Sequence, residues 1–509
     1  MSARVLVVGA GPAGLSAAIS LLLRGVPVTV VDKAAAPHTH PKAVVLWPRA
    51  LEVFERLGVA EALVAGGHPL TSQHYHSNGT RVASLTFRML RHTKYRYALA
   101  IPQHVTERVL RERLTGLGGT IRANTELTAL RQDATAVTAT LTDLSTGEHT
   151  EEVHDWVIGA DGVRSAVRTA IGVEFTGQTY EQTFLLSDGP CETDLATDAA
   201  HYFMTDTGVL VVVPLPGGQW RAFISAPREI PEGEALAATV ERVTAARSPV
   251  PVRFLDGHTA GRFRIHRRAA EQVWRGRVFL VGDAAHAHSP AGAQGINTGV
   301  EDATSLAWRL AGVCLGSSSA ADSGRVFAEW AAERHQVVRN VLRDTDLQTR
   351  LWGVRGLRRR LRDLVLSGAE RTTLLDRVVT PRQTQIDQRY RTAPGRARPV
   401  SAGVLRSHAR LPNVAIPTTA TGTAHLHDFL SMAGPVSLRF DPVGTPGRRT
   451  EVRRSTDPET GFDVVSLTGP ALRSALGISR RVACLVRPDG IVAAVASHTA
   501  LETEGEVLR

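Results

Sequence analysis

Three motifs built from glycines and acids hold the residues whose types and spacing can do chemistry. The first is Gly9-Ala10-Gly11-Pro12-Ala13-Gly14, a GxGxxG pattern, with Asp32 following 18 residues after its last glycine. Glycines at these positions permit a tight turn and close backbone approach to a pyrophosphate. A helix starting at the motif offers that group free N–H donors and a partial positive charge. An acid at the end of the next strand accepts hydrogen bonds from an adenosine ribose. The second motif is Gly159-Ala160-Asp161-Gly162-Val163-Arg164-Ser165. Taken alone it reads equally as a strand end and a helix cap, because Asp161 and Ser165 are both good capping residues. The third is Gly282-Asp283-Ala284-Ala285-His286, followed by Pro290, Gly292, Gly295, Ile296 and Asn297. A carboxylate at a strand end can bond a sugar-alcohol chain, and loop N–H groups that open a helix can stabilise a negative charge.

The elements that must position these motifs are legible around them. Residues 4–8 (RVLVV) form a short β-branched run suited to a buried parallel strand. Residues 12–23 are apolar and alanine-rich, as expected of a helix on a sheet, with Gly25 as its stop. Residues 28–31 (VTVV) are the second strand of a βαβ unit, with Asp32 and Lys33 at its end. Residues 48–63 and 103–114 read as amphipathic helices, and 136–141 and 156–159 as strands. The stretch 175–263 alternates and is rich in β-formers, so it reads as a separate antiparallel sheet region. A buried strand at 277–281 leads into a helix over 295–310, and 326–379 is helical and arginine-rich. The linker signal is TAPGRARP at 392–399. Beyond it lie strand-like segments, among them 482–486, which runs into an Arg-Pro-Asp-Gly turn.

A chain of 509 residues implies several domains, and 43% hydrophobic with 21% charged residues fits a soluble, folded protein. The formal charge of +10 is carried mainly by dispersed arginines, with one concentration at 355–362. No RNA motif or zinc module accompanies it, so no nucleic-acid partner is expected, and the positive field suits small anionic ligands. Cys191, Cys314 and Cys484 make no CxxC pair. No disulfide framework or metal site is expected, and a reducing cytoplasm is the default location. The apolar run 15–23 is too short to span a bilayer and follows a strand and a glycine turn, so neither a signal peptide nor a membrane partner is expected.

In this order the three motifs resemble the single-component FAD-dependent aromatic hydroxylases, the flavoprotein monooxygenases of the para-hydroxybenzoate hydroxylase and phenol hydroxylase type. Pro48-Arg49-Ala50-Leu51-Glu52, Pro102-Gln103, and Gly299, Asp302, Leu306 and Trp308 also match recurrent segments of that family. The likeness covers residues 4–390. Residues 385–390 (QIDQRY) and 485–490 (LVRPDG) resemble the subgroup that tailors aromatic polyketides and carries a C-terminal thioredoxin-like domain. Such domains usually lack a redox CxxC, as this one does, which favours a structural or dimer-related role and makes a homodimer an expected assembly. The implied fold is α/β. A Rossmann-like FAD-binding domain (1–174 and 269–391, the latter including the helical region) is interrupted by an inserted antiparallel-sheet substrate domain (175–268). A thioredoxin-like α/β domain follows at 400–509.

The resemblance implies roles residue by residue. Gly9, Gly11, Pro12, Ala13 and Gly14 would hold the FAD pyrophosphate, and Asp32, with Lys33 beside it, the adenosine ribose. Gln103 would lie along the ribityl–pyrophosphate part, and Asp161 by the FAD and the nicotinamide approach. Gly282 and Asp283 would bind the ribityl or pyrophosphate region, and Pro290, Gly295, Ile296 and Asn297 would line the isoalloxazine. Lys42 and Arg49 are further cofactor-binding candidates. Many relatives carry arginine where Lys42 stands, and lysine lacks the bidentate fork. Ala293 replaces the second glycine of the usual pair and adds a methyl close to the flavin.

The implied chemistry uses NADPH or NADH to reduce FAD, then O2 to form a C4a-hydroperoxyflavin, which hydroxylates a phenolic, polycyclic substrate in a dry site. His266, His286 and Pro290 are catalytic candidates by location only, and for both histidines the structural, hydrogen-bonded reading is the stronger one. Phe203, Trp220 and Phe223 are candidates for a flat apolar substrate pocket, or for sheet core. Baeyer–Villiger insertion or epoxidation on the same scaffold is an alternative, as is a flavin-binding sensor without turnover. A flavin halogenase is disfavoured, because Trp47 stands outside any tryptophan-rich signature.

Overall fold

The computed structural model describes residues 4–37, 44–227, 235–255, 258–316, 320–390, 400–420, 422–443, 449–458 and 460–497. Lys42 and the linker 392–399 lie outside the described residues. Contacts divide the chain into two units, Met1–Met89 with Tyr97–Gln383, and Leu90–Arg96 with Thr384–Arg509.

In the first unit, β1 (Val5–Val8), α1 (Pro12–Leu22) and β2 (Val28–Val31) form the expected βαβ start. All four β1 residues are buried, because the strand lies inside a sheet ordered Trp274–Arg275, Val278–Leu280, Trp156–Gly159, β1, β2, Ile121–Arg122. Its pairings are parallel except at the Trp274–Arg275 edge. Continuous Val/Ile runs of this kind have to be covered on both faces. The helix Gly295–Cys314 packs on α1, and the approach depends on glycine. A Cβ at Gly299 would come 3.0 Å from the Gly282 Cα, and a Cβ at Gly282 would come 3.0 Å from the Ala13 methyl.

A second sheet of the same unit runs His286–Ala287, Thr259–Ala270, Phe175–Thr193, Gln219–Ser225, Gly208–Pro214, Ala199–Thr205, Ser72–Ser77, Thr80–Thr86, with Val252–Phe254 paired to Phe175–Thr193 off this path. It is antiparallel apart from Ser72–Ser77, which joins Ala199–Thr205 in parallel. The sheet therefore recruits a hairpin from well outside residues 175–268. Parallel pairing needs a long crossover and leaves no local signature in the sequence. Helix Leu236–Arg247 covers one face, over a core of Leu185, Phe203, Leu210, Trp220 and Ile224.

The helix expected over 48–63 is two helices, Pro48–Arg56 and Ala60–Ala65. Gly58 between them sits at φ +76°, a left-handed conformation that ends a helix. The arginine-rich region forms helices Ala320–Trp352 and Gly356–Arg371, followed by a π-turn over Leu375–Val379.

The second unit contains a mixed five-stranded sheet ordered Glu451–Thr456, Asp463–Thr468, Val436–Asp441, Val482–Val486, Val492–Ser497. Leu438, Phe440, Leu467 and Cys484 are in its core. Residues 90–96 belong to this unit: the His92 carbonyl accepts the Asn413 N–H at 2.8 Å and an Arg410 guanidinium N–H at 2.9 Å.

Candidate active site

The GxGxxG turn is built as its residues require. Gly9 sits at φ +107°, and its N–H donates to the Val31 carbonyl at 2.8 Å. A Cβ at Gly9 would lie 2.3 Å from the Ala160 carbonyl oxygen, and one at Gly14 would lie 1.9 Å from the Gly9 oxygen. These two glycines let strand, turn and helix pack together. Gly11 differs, since nothing lies within 4 Å of its missing Cβ. It caps α1 with no side-chain hydrogen bond, so the N–H groups of the first turn stay available. Asp32 braces the turn, accepting the Ala10 N–H at 2.6 Å and the Ala34 N–H at 2.8 Å.

One cavity of about 1070 Å³ begins at this turn. It runs past Asp32, Lys33, Gln103 and Asp161 to Gly282 and Asp283, then along Pro290, Gly295 and Ile296 to the second sheet. It thus collects Gly9, Gly11, Pro12, Ala13 and these residues of all three motifs along one wall. Gly14 is buried behind the turn. Gln103 donates to Glu107 at 2.8 Å, and Lys33 lies 4.0 Å from Glu126. Asp161 combines both readings of its motif. It lines the cavity, and it also accepts the Ser165 hydroxyl at 2.5 Å and the Ala166 N–H at 2.7 Å, while Ser165 caps the helix Ala166–Ala170. Burial pushes the Asp161 carboxyl up, and these hydrogen bonds oppose that push.

Arg49, His286 and Asn297 are candidates that do not line the cavity; they hold up its floor. Arg49 is buried, 2.9 Å from Glu301 and 3.6 Å from Glu52. Glu301 also meets Arg334 at 3.3 Å, and Arg334 lies 2.6 Å from Asp302. Asp302 accepts the His286 imidazole N–H at 2.6 Å and the Gly282 backbone N–H at 3.1 Å. Burial alone would raise the Asp302 carboxyl, but Arg334 and His286 outweigh it and hold it at about 2. His286 is therefore a positioning residue rather than a base facing a substrate. Asn297 accepts the Trp47 backbone N–H at 2.7 Å and donates to the carbonyls of Val45 at 3.0 Å and Ala293 at 2.7 Å. Trp47 returns its indole N–H to the Gly292 carbonyl at 2.9 Å.

The far end of the cavity is an aromatic chamber against the second sheet. Phe223 lines it; Phe203 and Trp220 do not, and are packed under helix Leu236–Arg247. The reason is the two-residue period of a strand. Arg221 and Phe223 face the cavity while Trp220, Ala222 and Ile224 face away, and Tyr202 faces in where Phe203 faces out. Arg221 is held by Asp188 through contacts of 2.6 and 2.5 Å. Phe223 stacks on Phe184 at 4.9 Å, and Trp352 closes the corner 5.9 Å from Tyr202 and 6.3 Å from Phe223. Trp352 gave no sequence signal, because it is the last residue of a long polar helix. The buried Trp352 indole nitrogen has no hydrogen-bond partner.

Two histidines line the cavity. His266 Nδ1 lies 2.9 Å from the Thr179 hydroxyl, and burial lowers its pKa. His288, which the sequence reading passed over although it stands two residues after His286, donates from Nδ1 to the Ser289 carbonyl at 2.9 Å. Burial lowers it to about 4, so it is neutral, and its Nε2 has no partner.

The family model for an FAD binding domain matches residues 2–345. The chain is also 32% identical to the 6-methylpretetramide 4-monooxygenase of Streptomyces rimosus, over 98% of this chain and 92% of that protein. The chain belongs to the FAD-binding monooxygenases. This monooxygenase is likewise 33% identical to the pentachlorophenol 4-monooxygenase of Sphingobium chlorophenolicum, over 62% of this chain and 59% of that one. Among solved structures it is similar to an anhydrotetracycline hydroxylase from Streptomyces rimosus, with a TM-score of 0.76 at 26% identity over 100% of this chain and 98% of that one. FAD is the cofactor of the monooxygenase, and its own geometry fits the group. Gly9 and Gly14 leave no room for a side chain behind the turn, and Gly11 leaves open space in front of it. The uncapped α1 N-terminus suits a pyrophosphate.

Proposed function

We propose that this monooxygenase hydroxylates a phenolic ring of a flat, polycyclic small molecule, with NADPH or NADH as reductant and O2 as oxygen source. One observation carries the reading: the aromatic chamber of Tyr202, Phe223 and Trp352 opens into the same cavity as the FAD-binding turn and the 290–296 loop. When bound, FAD supplies reduction by the nicotinamide cofactor and activation of O2. The chain's residues do the rest. Gly9, Gly11 and the α1 N-terminus would hold the pyrophosphate, Asp32 the ribose, Gln103, Asp161 and Asp283 the middle of the cofactor, and 290–296 its reacting end. Tyr202, Phe223 and Trp352 orient an aromatic ring and exclude water. His288 Nε2 and His266 are two groups along the cavity that can accept the proton of a phenol.

Polyketide substrates are a proposal by similarity to relatives named for them. Nothing observed favours ring-oxygen insertion, epoxidation or a silent sensor over hydroxylation. The domain division at 174, 268 and 391, a thioredoxin-like fold for 400–509, a homodimer and a cytoplasmic location complete the proposal. The mixed sheet and lone Cys484 of the second unit support the non-redox reading of 400–509. Among the described residues no helix is long and apolar enough to cross a membrane.

The test is steady-state NAD(P)H oxidation by FAD-loaded protein with a panel of polycyclic phenols, with product mass followed in parallel. Coupled oxidation and a single added oxygen on the ring are expected. Cofactor oxidation that ends only in hydrogen peroxide across the panel would sink the reading.

A further inference from the structure

Helix Gly356–Arg371 has two faces, and among the described residues only one is packed into the fold. On the inner face, Arg362 donates to the Ser77 hydroxyl at 2.9 Å and to the Leu351 carbonyl at 2.8 Å. Ser77 donates to Asp363 at 2.7 Å, and Ser367 donates to the Val82 carbonyl at 2.8 Å. Leu366 and Ala369 pack on Ala83 and Leu85 of strand Thr80–Thr86. The outer face carries Leu357, Leu361, Leu364 and Val365, whose spacing of four, three and one places them in one stripe. They are 80%, 62%, 71% and 60% exposed. Buried aliphatics of this size are the rule, and a contiguous exposed stripe marks an interaction surface. The apolar exposure continues into Leu374 and Val378 after the helix.

Arginines fringe the stripe. Arg358 lies on one side of it, and Arg360 and Arg371 on the other, by their 100° steps around the helix. Arg355 and Arg377 stand at its two ends, and all five are exposed. The acids of the segment point elsewhere: Asp363 accepts Ser77, Asp376 accepts the Thr86 N–H at 2.8 Å, and Glu370 is half-buried. A second copy of the chain would bring arginine against arginine on this face, an arrangement that costs affinity. Cations on every side of an apolar stripe complement negative charge spread evenly in a plane, more closely than the localised acids of a protein groove.

We propose that helix Gly356–Arg371 docks the protein peripherally on an anionic lipid bilayer, its leucines in the interface and its arginines among the headgroup phosphates. A helix of 16 residues, about 24 Å long, with apolar and basic sectors lies in the plane of such a surface. This departs from the expectation of no membrane partner, which concerned a spanning segment. It stands apart from the reading of the cavity, so either can fail alone.

The experiment is co-sedimentation of FAD-loaded protein with vesicles of phosphatidylglycerol mixed with phosphatidylcholine, beside vesicles of phosphatidylcholine alone. Retention on the anionic vesicles, weakening with salt, is expected. Removing charge with Arg358→Gln or Arg360→Gln should lower it about fivefold each, the fold-change for ~1 kcal/mol per basic residue near such a surface. Leu361→Gln with Leu364→Gln should abolish it, while flavin content and NAD(P)H oxidation stay unchanged. Equal retention on neutral vesicles, or none on either, overturns the proposal. So does a concentration-dependent dimer by light scattering that the leucine variant dissolves, since the face would then belong to a second copy.

Discussion

Asn297 donates its carboxamide N–H to the carbonyl of Ala293 at 2.7 Å, and Ala293 is held at φ +50°. A residue with a Cβ costs roughly 1–2 kcal/mol in that region. The Asn297 bond, with the Trp47 bonds on either side, keeps the loop in place against this strain. Ala293→Gly should relieve the strain but add about 0.5–1 kcal/mol of backbone entropy cost, for a net change within about 1 kcal/mol. Ala293→Val should destabilise by about 2 kcal/mol or more, because a branched side chain tolerates that conformation poorly. Thermal melts of the two variants check the order, and a Val variant as stable as wild type would contradict it.

Gly14 and Gly11 separate folding from cofactor binding. Gly14→Ala must push the Gly9 carbonyl aside, so the apoprotein should lose stability by about 1–3 kcal/mol and retain little flavin. Gly11→Ala meets no protein atom within 4 Å, so the apoprotein should melt near the wild-type temperature while FAD binding weakens about tenfold or more. Apoprotein melting and flavin titration on the same samples distinguish the two.

Phe203 and Phe223 face opposite sides of one sheet. Phe203→Ala should cost about 3–5 kcal/mol of stability, with KM for the aromatic substrate unchanged in the folded fraction. Phe223→Ala should raise that KM about tenfold, equivalent to ~1.4 kcal/mol of lost contact. If Phe203 moved KM and Phe223 did not, the assignment of the chamber would be reversed.

Acid should weaken the protein in two stages. His74 and His76 lie near His201 with ring centroids 5.2 and 6.3 Å from it, and all three pKa values are lowered first by burial. His76 falls to about 4 from 6.5. Between those values the unfolded chain binds protons that the folded chain refuses, so stability is full above pH 6.5 and declines as pH falls toward 4. Asp302 acts lower down: its carboxylate, held at about 2, contributes stability that is lost only as pH drops below its ordinary 3.8. Urea unfolding as a function of pH should show both stages, and His76→Gln should soften the first. A stability profile flat from pH 7 to 4.5 would count against the histidine cluster.

The glycine-and-acid wall of the cavity was legible because its requirements are local. Gly9, Asp32, Asp161 and Asp283 sit in or beside turns that follow strands, with Gly11 capping and Gly14 inside the first turn of α1, and a strand, a glycine and an acid close together in sequence suffice to bring them to one region. The substrate half was legible only in outline. That 175–263 forms a sheet follows from its alternation, but which face turns to the cavity depends on what covers the other, here helix Leu236–Arg247. Hence Phe223 was placed with Phe203 and Trp220, from which it is separated by a sheet. Arg49 and Asn297 were read as cofactor ligands because of where they stand in their motifs; their partners Glu301 and Trp47 lie some 250 residues away in the chain, beyond any local pattern. The joining of residues 90–96 to the second unit was invisible for the same reason.

The floor beneath the cavity has a bearing on engineering. Glu301 is shared by arginines from two other helices, and Asp302 by Arg334, His286 and a backbone N–H. Replacing one of these residues strands a charge that has no water to turn to. Residues 49, 286, 301, 302 and 334 therefore travel only as a set, and a chimera that splits them should fail at folding before its chemistry can be assayed.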